Sequence, residues 1–345
     1  MGSEYASSPL NVGFIGCGNY AQTLSKAVVR SSALNPVLCY DPDSAASQTF
    51  SGSLEVPCSS SLEELLDSPD VEAVIIASPN SAHRENAQAA AAAGKHVFVD
   101  KPIANDVDDA VSIIDACRAN KVILAVGHNA RFHSGHRKMK QMIDAGEIGS
   151  PIGVEANFSH DGGLKMKPKE WRQDRSSCPA LPLMQLGVHF VDTIHYFLGF
   201  SDEVFSYAQR SVIEADNDDS IVSLIKLKSG PLAYVGSYYA CPHTYYILVH
   251  GTRASVLCDG GVRLSMRHID GKGFEPIEIE PAASQIGELE DFVRAVRTGE
   301  RPEVDGETGL QALAVVRAAI ESAAVGCPVK TEDILRGSGI QLRQS

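Results

Sequence analysis

A glycine turn close to the N-terminus is the first stretch of this sequence that could do chemistry. The apolar run 12–15 leads into Gly16-Cys17-Gly18, and a helical pattern follows directly. Gly16 permits a tight turn, Gly18 lets the backbone approach a pyrophosphate, and the small Ala21 allows the helix to pack closely on the strand. Free N–H groups at the start of that helix would then face the phosphates. The spacing therefore predicts a dinucleotide site.

A carboxylate follows the second apolar run at the distance that such a site requires. The run 37–40 ends in Asp41, about twenty residues after the turn, where dinucleotide folds place the acid that binds the ribose hydroxyls. No Lys or Arg occurs between residues 31 and 83, so a 2′-phosphate would find no cation nearby. We therefore expect the cofactor to be NAD rather than NADP.

Polar side chains also follow three further apolar runs, at the points where strands should end. They are Ser78, Asn80 and His83 after the run 73–77, Asp100 and Lys101 after 97–99, and Asn129 and Arg131 after 122–126. Because ligands bind at the carboxyl ends of parallel strands, three such loops together indicate a site.

The elements that must position these residues alternate between strand and helix as far as residue 126. Helical patterns at 21–30, 81–93 and 107–119 separate the short apolar runs, which is typical of a doubly wound parallel sheet. From Pro151 the runs are longer and alternate, as in an open, mostly antiparallel sheet. We predict an α/β protein with a Rossmann domain over residues 1–127 and an α+β domain for substrate binding and oligomerisation over 128–345.

Composition narrows the function classes. At 345 residues, two domains are expected. A formal net charge of −13 argues against nucleic acid or a membrane surface as a partner. No run reaches the ~18 apolar residues of a membrane span, and the polar segment 1–9 does not resemble a signal peptide. The eight scattered cysteines form no C-x-x-C pair, so we expect no metal site and no disulfides, and a cytoplasmic protein.

Taken together, the motifs resemble those of the glucose–fructose oxidoreductase / inositol dehydrogenase / rhizopine-catabolism (Gfo/Idh/MocA) family of NAD(P)-dependent sugar dehydrogenases. The resemblance covers roughly residues 11 to 329. It is carried by the glycine turn, Pro79-Asn80 with His83, Asp100-Lys101-Pro102, Asn129 with Arg131-Phe132, Trp171-Arg172, and Gly187-Val188-His189 with Asp192.

The resemblance implies a role for each of these positions. Lys101 would contact the nicotinamide ribose and the reacting hydroxyl, often across a cis Lys-Pro bond, and stabilise the alkoxide. His189 would be the general base. The implied cofactor residues are Gly16, Gly18, Asn19, Tyr20, Asp41, Ser78, Asn80, His83, Asp100 and Lys101. The implied substrate residues are Lys101, Arg131, His160, Trp171, Arg172, Gln185 and His189, and Asp161 and Tyr239 are further candidates.

Three positions depart from the family pattern. Gln185 stands where many members have an Asp, four residues before the catalytic His, so it can orient a hydroxyl or the imidazole but cannot supply negative charge. We nevertheless place Gln185 in the catalytic group. Asp100 replaces the usual Glu, and the segment 178–182 replaces a frequent glycine pair with a stiffer loop.

Three functions remain open from the sequence. The leading one is an NAD-dependent oxidoreductase acting on a secondary hydroxyl of a sugar, glycoside or cyclitol. A second is a redox-cycling glycosidase or lyase that oxidises C3 transiently with bound NAD. The third is a non-catalytic NAD- or sugar-sensing regulator, against which the presence of Lys101 and His189 argues. The sequence does not identify the sugar or the hydroxyl.

The second sheet also predicts self-association. Along the run 221–227 both alternating sets are rich in apolar residues, although only one face can pack on helices of its own domain. Relatives pair through this sheet, so the resemblance points the same way. We predict a homodimer or homotetramer.

Overall fold

The computed structural model describes residues 8–167 and 170–337. The chain divides into two compact units. The first contains the described part of Met1–Ala104 together with Asp108–His128 and Gln285–Gly309. The second contains Asn105–Val107, Asn129–Ser284 and the described residues after Leu310. The polar N-terminal segment considered above lies mostly outside the described residues.

The first unit is built on a five-stranded parallel sheet in the order β2-β1-β3-β4-β5. Its strands are β1 (Leu10–Ile15), β2 (Leu34–Tyr40), β3 (Ala73–Ile76), β4 (His96–Asp100) and β5 (Leu124–Gly127). Its helices are α1 (Asn19–Arg30), α2 (Ser44–Leu54), α3 (Leu62–Asp67), α4 (His83–Ala92) and α5 (Val107–Ala119). The strand order reverses between β1 and β3, where a doubly wound sheet binds its ligand. The predicted doubly wound sheet is confirmed.

The strands are short and apolar because helices cover both faces of the sheet. All four residues of β3 are buried. The predicted helix over 81–93 is a 3₁₀ turn, Asn80–Ala82, followed by α4.

A late segment of the chain returns to the first unit. Helix α9 (Ser284–Thr298) buries Leu289 and Phe292 in the same core as Leu10 and Phe14. Arg297 on α9 pairs with Glu72 at 2.9 Å. The predicted division at residues 127 and 128 does not include this return.

The second unit is built on a nine-stranded sheet in the order β13-β12-β11-β10-β6-β9-β8-β7-β14. Its strands are β6 (Pro151–Ser159), β7 (Ser201–Gln209), β8 (Ser220–Leu227), β9 (Leu232–Tyr238), β10 (Thr244–Gly251), β11 (Ala254–Asp259), β12 (Arg263–His268), β13 (Glu275–Ile277) and β14 (Val329–Lys330). Only β6 and β9 pair in parallel among these described strands. The predicted mostly antiparallel sheet is confirmed.

Helices cover one face of this sheet. They include α6 (Ser134–Asp144), the short α7 (Gly162–Lys165), α8 (Val188–Leu198), α10 (Gly306–Val325, which begins in the first unit) and α11 (Thr331–Arg336). Ile221, Ile225 and Leu227 on β8 are at most 2% exposed, whereas Leu224 is 54% exposed. The two alternating sets of this strand therefore lie in different environments, one packed and one open.

One described helix, α10, has the length and hydropathy that a membrane span requires. The sequence had been expected to contain no such segment. Of the apolar window in α10, 61% is buried inside the protein, as is usual for a helix in a protein core.

Candidate active site

The glycine turn has the backbone that a phosphate site needs. Gly16 adopts φ +91°, and a Cβ there would lie 2.6 Å from the backbone nitrogen of Ser78. A Cβ on Gly18 would meet nothing within 4 Å. Helix α1 begins at the exposed Asn19, and Gly18 at its N-cap has no side chain that could satisfy the first N–H groups. These donors and the open space suit a pyrophosphate.

Asp41 lies directly beside this turn. Its Oδ2 accepts a hydrogen bond of 2.8 Å from the backbone N–H of Cys17, and its Oδ1 accepts one of 2.8 Å from Asp43. The carboxylate is therefore fixed at the end of β2 next to the turn, where a dinucleotide fold binds the ribose hydroxyls.

His83 joins two of the strand-end loops. Its ring is fully buried, with Nδ1 3.0 Å from the carbonyl oxygen of Pro102 and Nε2 3.0 Å from that of Ser78. Burial lowers the pKa of His83 to about 4, so the ring is neutral near pH 7 and donates only one proton to these two carbonyls. These two contacts of His83 hold the loop after β3 against the loop after β4.

Lys101 and its neighbours form the end of β4. The Lys101-Pro102 peptide bond is cis, as the resemblance implies. Lys101 is 8% exposed and Asn80 is 5% exposed, while Ser78 and Asp100 are half-buried. The first unit thus brings the predicted residues of the loops after β3 and β4 to one end of its sheet.

Tyr20, on the first turn of α1, has a fully buried hydroxyl. Burial raises its pKa well above the usual value, and the nearby Asp100 and Glu288 raise it further. The hydroxyl is therefore neutral. Among residues 8–167 and 170–337 it has no hydrogen-bond partner.

In the second unit, the predicted catalytic residues flank a π-helical turn. The turn spans Leu183–Gly187, and α8 continues from Val188. Gln185 lies in the turn and His189 is on the first turn of α8. A Cβ on Gly187 would lie 2.6 Å from the Oγ of Ser237, so the close packing of this turn on β9 requires glycine. Single π-helical turns occur frequently at functional sites.

Gln185 is buried and has two polar contacts. Its Nε2 donates to the Sγ of Cys178 at 3.4 Å, and its Oε1 accepts from Nε of Arg172 at 3.3 Å. The guanidinium of Arg172 also lies over the ring of Trp171, with 4.4 Å from Cζ to the ring centroid. The structure therefore brings three predicted substrate residues into direct contact.

Aromatic rings connect the remaining predicted substrate residues. The rings of His189 and His160 lie 5.7 and 6.1 Å from that of Phe158, and His160 lies 4.6 Å from Tyr239. The N–H of Gly162 donates to Nδ1 of His160 at 2.8 Å, so the ring proton is on Nε2. Burial lowers the pKa of His160, so this ring acts as a neutral donor.

Arg131 is paired with a buried carboxylate. Its Nε and Nη2 donate to the two carboxylate oxygens of Asp192 at 2.9 and 2.5 Å, and both residues are buried. Such a pair is costly to break because it would leave a buried charge. The pair joins the turn 129–132 to α8, and the predicted substrate contact of Arg131 stays a prediction.

Asn217 is a site residue that the sequence analysis missed. It is fully buried, and its Nδ2 donates to the carbonyl oxygens of Arg172 and Cys178 at 3.1 and 2.7 Å. Its Oδ1 accepts from the N–H of Leu181 at 3.3 Å. Asn217 thereby holds the whole loop that carries Arg172. Its position in a polar Asn-Asp-Asp loop was the only sequence signal, and that signal specifies no partner.

The loop 178–182 has an alanine at a position with left-handed backbone conformation. Ala180 has φ +52° and is buried. Glycine adopts this conformation without steric cost, whereas alanine is strained there.

Comparison with known proteins identifies the family. The family description "Oxidoreductase family, NAD-binding Rossmann fold" matches residues 10–128, and "Oxidoreductase family, C-terminal alpha/beta domain" matches residues 140–331. The chain belongs to the Gfo/Idh/MocA oxidoreductase family. The resemblance inferred from the sequence is confirmed, and so is its NAD-binding domain.

Three relatives indicate the range of this oxidoreductase family. The 1,5-anhydro-D-fructose reductase of Ensifer adhaerens is 28% identical over 281 residues, which cover 79% of this chain and 83% of the relative. The 2,7-anhydro-N-acetylneuraminate hydratase of Escherichia coli K12 is 25% identical over 96% of this chain and 100% of the relative. A crystal structure from Desulfitobacterium hafniense DCB-2, provisionally named an NADPH-dependent oxidoreductase, is 31% identical with a TM-score of 0.91, over 95% of this chain and 99% of that one.

Proposed function

We propose that this oxidoreductase transfers a hydride between a secondary hydroxyl of a sugar, glycoside or cyclitol and NAD. Bound NAD supplies the hydride acceptor. His189 takes the proton of the reacting hydroxyl while the hydride leaves the carbon that carries this hydroxyl, so the alcohol becomes a ketone. Lys101 stabilises the negative charge that develops on the oxygen. The observation that carries the proposal is the contact of Gln185, on the turn before His189, with Arg172, whose guanidinium lies over Trp171, in a chain with an NAD-binding domain.

Gln185 has an orienting role in this scheme. Its amide is neutral, so it provides no counter-charge for a protonated imidazole. It fixes Arg172 through its Oε1.

The test is incubation with NAD and a panel of sugars, aryl glycosides and cyclitols, following NADH absorbance and released aglycone together. NADH formation without aglycone release is the expected result. Aglycone release without net NADH would instead identify redox-cycling cleavage. Binding of NAD and sugar without any turnover would identify a regulator.

Redox cycling is retained as the second candidate because one relative that spans 96% of this chain is named a hydratase. A hydratase reaction involves no net oxidation. The same His189 and Lys101 could serve such a cycle, since it also begins by removing a hydroxyl proton.

The location and assembly of the protein are further proposals. All eight cysteines are free thiols, which supports a reducing cytoplasm. We also propose a homodimer or homotetramer that binds a small carbohydrate or cyclitol and neither nucleic acid nor membrane, which the net charge of −13 supports.

A further inference from the structure

Arg172 differs from the arginines near it because it has no acidic partner. Arg131 pairs with Asp192, and Arg175 pairs with Asp218 at 2.7 Å. Within residues 8–167 and 170–337, Arg172 forms no ion pair. The half-buried guanidinium of Arg172 therefore keeps its positive charge without a counter-charge from the described residues.

The contacts of Arg172 are neutral, and they fix its orientation. Its Nε donates a hydrogen bond to Oε1 of Gln185, and one face of the guanidinium lies over the ring of Trp171. The two terminal nitrogens, Nη1 and Nη2, have no partner among the described residues. This pair of parallel donors is the edge that binds a carboxylate in bidentate geometry.

The carboxylates near this loop are engaged elsewhere. Asp161 pairs with Lys165 at 2.6 Å, and Asp174 accepts hydrogen bonds from Ser176 and Ser177. An Oε1 of Glu170 accepts from the N–H of Lys167 at 2.9 Å. The described part of this loop therefore supplies no counter-ion for Arg172.

Two further groups near Arg172, His160 and Tyr239, are uncharged donors. His160 carries its proton on Nε2, and burial raises the pKa of Tyr239 to about 12. Both can donate hydrogen bonds to an oxygen-rich ligand.

Position 185 explains why the counter-charge is missing. An aspartate at this position would place a carboxylate near Nε of Arg172. The amide of Gln185 occupies the same place at 3.3 Å without charge.

We propose that the substrate carries a carboxylate that binds Nη1 and Nη2 of Arg172, so that the enzyme acts on sugar acids such as uronates in preference to neutral sugars. The inference rests on the proposed function, because it names the substrate class of the same site. Gln185 and His189 are four residues apart, about 6 Å along a helix. The carboxylate and the oxidised hydroxyl are therefore separate groups of one sugar-sized molecule.

The test compares matched pairs of ligands that differ in the carboxylate: D-glucuronate with D-glucose, D-galacturonate with D-galactose, and the methyl glycosides of each. Calorimetry measures binding to the protein with NADH, and NADH absorbance measures kcat/KM with NAD. In at least one pair the affinity and the kcat/KM for the acid should exceed those for the neutral sugar by about 10- to 100-fold. This is the range expected for a hydrogen-bonded charge pair. The preference should shrink as salt is added.

Two variants assign the preference to this site. Arg172→Gln should reduce the ratio of acid to neutral affinity to near one, mainly by weakening the binding of the acid. Gln185→Asp should also reduce the ratio of acid to neutral affinity, because the new carboxylate competes with the ligand for Arg172. Arg210→Gln is the control, since it removes an exposed guanidinium of the same unit that lies 3.9 Å from Asp216.

The outcomes separate this inference from the proposed function. Equal affinity and kcat/KM in every pair, or equal losses for acid and neutral ligands in Arg172→Gln, would overturn it even if neutral sugars are oxidised. Arg172-dependent binding of acids without any NADH formation would support it while contradicting hydride transfer. If Arg172→Gln does not fold, Gln185→Asp alone decides, and an unchanged preference in that variant overturns the inference.

Discussion

At the scale of single residues, we predict that Asp41 determines the choice between NAD and NADP. Its carboxylate is held at the glycine turn by two backbone N–H groups, where it would bind ribose hydroxyls and repel a 2′-phosphate. We expect NADH to bind at least about tenfold more tightly than NADPH, one charge repulsion being worth roughly that factor. Titration by fluorescence measures both.

Asp41→Asn should narrow the difference between the affinities for NADH and NADPH, because the amide oxygen keeps a backbone contact without the charge. Asp70→Asn, which removes an exposed carboxylate of the same unit, should leave it unchanged. Tighter binding of NADPH by the wild type would contradict the assignment, and the provisional NADPH name of the Desulfitobacterium structure makes that measurement informative.

Lys101 and His189 carry the proposed chemistry, and their removal should affect turnover rather than cofactor binding. Lys101→Met and His189→Ala should each lower kcat by ~10² or more, as expected for loss of charge stabilisation or of a general base. Kd for NADH should change little. Lys228→Met and His268→Ala, both at exposed positions, are the controls. Near-normal turnover in either active-site variant would remove that residue from the mechanism.

At the scale of elements, the strand–turn–helix at β1 and α1 uses its two glycines differently. Gly16→Ala should destabilise the protein by about 2 kcal/mol or more, because alanine is strained at positive φ and its Cβ would overlap the backbone of Ser78. Gly18 has an ordinary φ of −74° and open space around it. Thermal unfolding of both variants measures this difference.

Gly18→Ala should therefore fold normally but bind NADH about tenfold or more weakly, because the added methyl group occupies the space of the pyrophosphate. Calorimetry measures this loss. If Gly18→Ala keeps wild-type affinity, the turn does not hold the pyrophosphate.

Helix α6 packs through a buried histidine that makes stability dependent on pH. His136 is fully buried, its Nδ1 donates to the carbonyl oxygen of Ala130 at 2.7 Å, and burial lowers its pKa to about 3. Above the unfolded pKa of about 6.5 the ring is neutral in both states and has no effect. Below that pH only the unfolded state takes up the proton, so stability falls as the pH is lowered.

We expect His136 to contribute a loss of about 1.4 kcal/mol per pH unit between about pH 6 and 4.5, with His83 adding a similar slope. Urea denaturation across this range measures the unfolding free energy. His136→Gln should be less stable at neutral pH but show a shallower slope. His268→Gln, at an exposed position, should keep the wild-type slope. An unchanged slope in His136→Gln would show that this ring does not titrate on unfolding.

At the scale of the whole molecule, the open face of the second sheet predicts self-association. One row of cross-strand neighbours runs across six strands through Phe205, Leu224, Tyr234, Glu155, Leu248 and Leu257. Leu224 is 54% exposed, and Tyr207 and Leu232 on the same side are 70% and 63% exposed. An apolar face of this extent is typical of an interface.

We expect light scattering at micromolar concentration to give at least twice the 36.8 kDa chain mass. Leu224→Asp should shift the protein toward the monomer without loss of folding, because the side chain is already exposed in the single chain. Val325→Asp, at a site that is 59% exposed on α10, is the matched control. A monomeric wild type would contradict the prediction.

The sequence by itself determined the features that consecutive residues encode. Short apolar runs that alternate with helical patterns predicted the parallel sheet, because strands buried on both faces must be apolar throughout. The turn at Gly16 and Gly18 was readable because the first glycine has a positive φ and the second leaves open space for a ligand. The combination of motifs then indicated the family, and that resemblance implied the roles of Lys101 and His189.

Tertiary structure decided the partners of those residues, because contacts between distant positions leave no local pattern. Arg131 and Asp192 were predicted as parts of separate motifs, and only the fold pairs them. Asn217 secures a loop about forty residues earlier in the chain. The return of α9 to the first unit was equally invisible, since an amphipathic helix specifies an apolar face but not the core that receives it. The neutral contact between Gln185 and Arg172, on which the proposed preference for sugar acids depends, exists only because the loop and the π-helical turn meet in space.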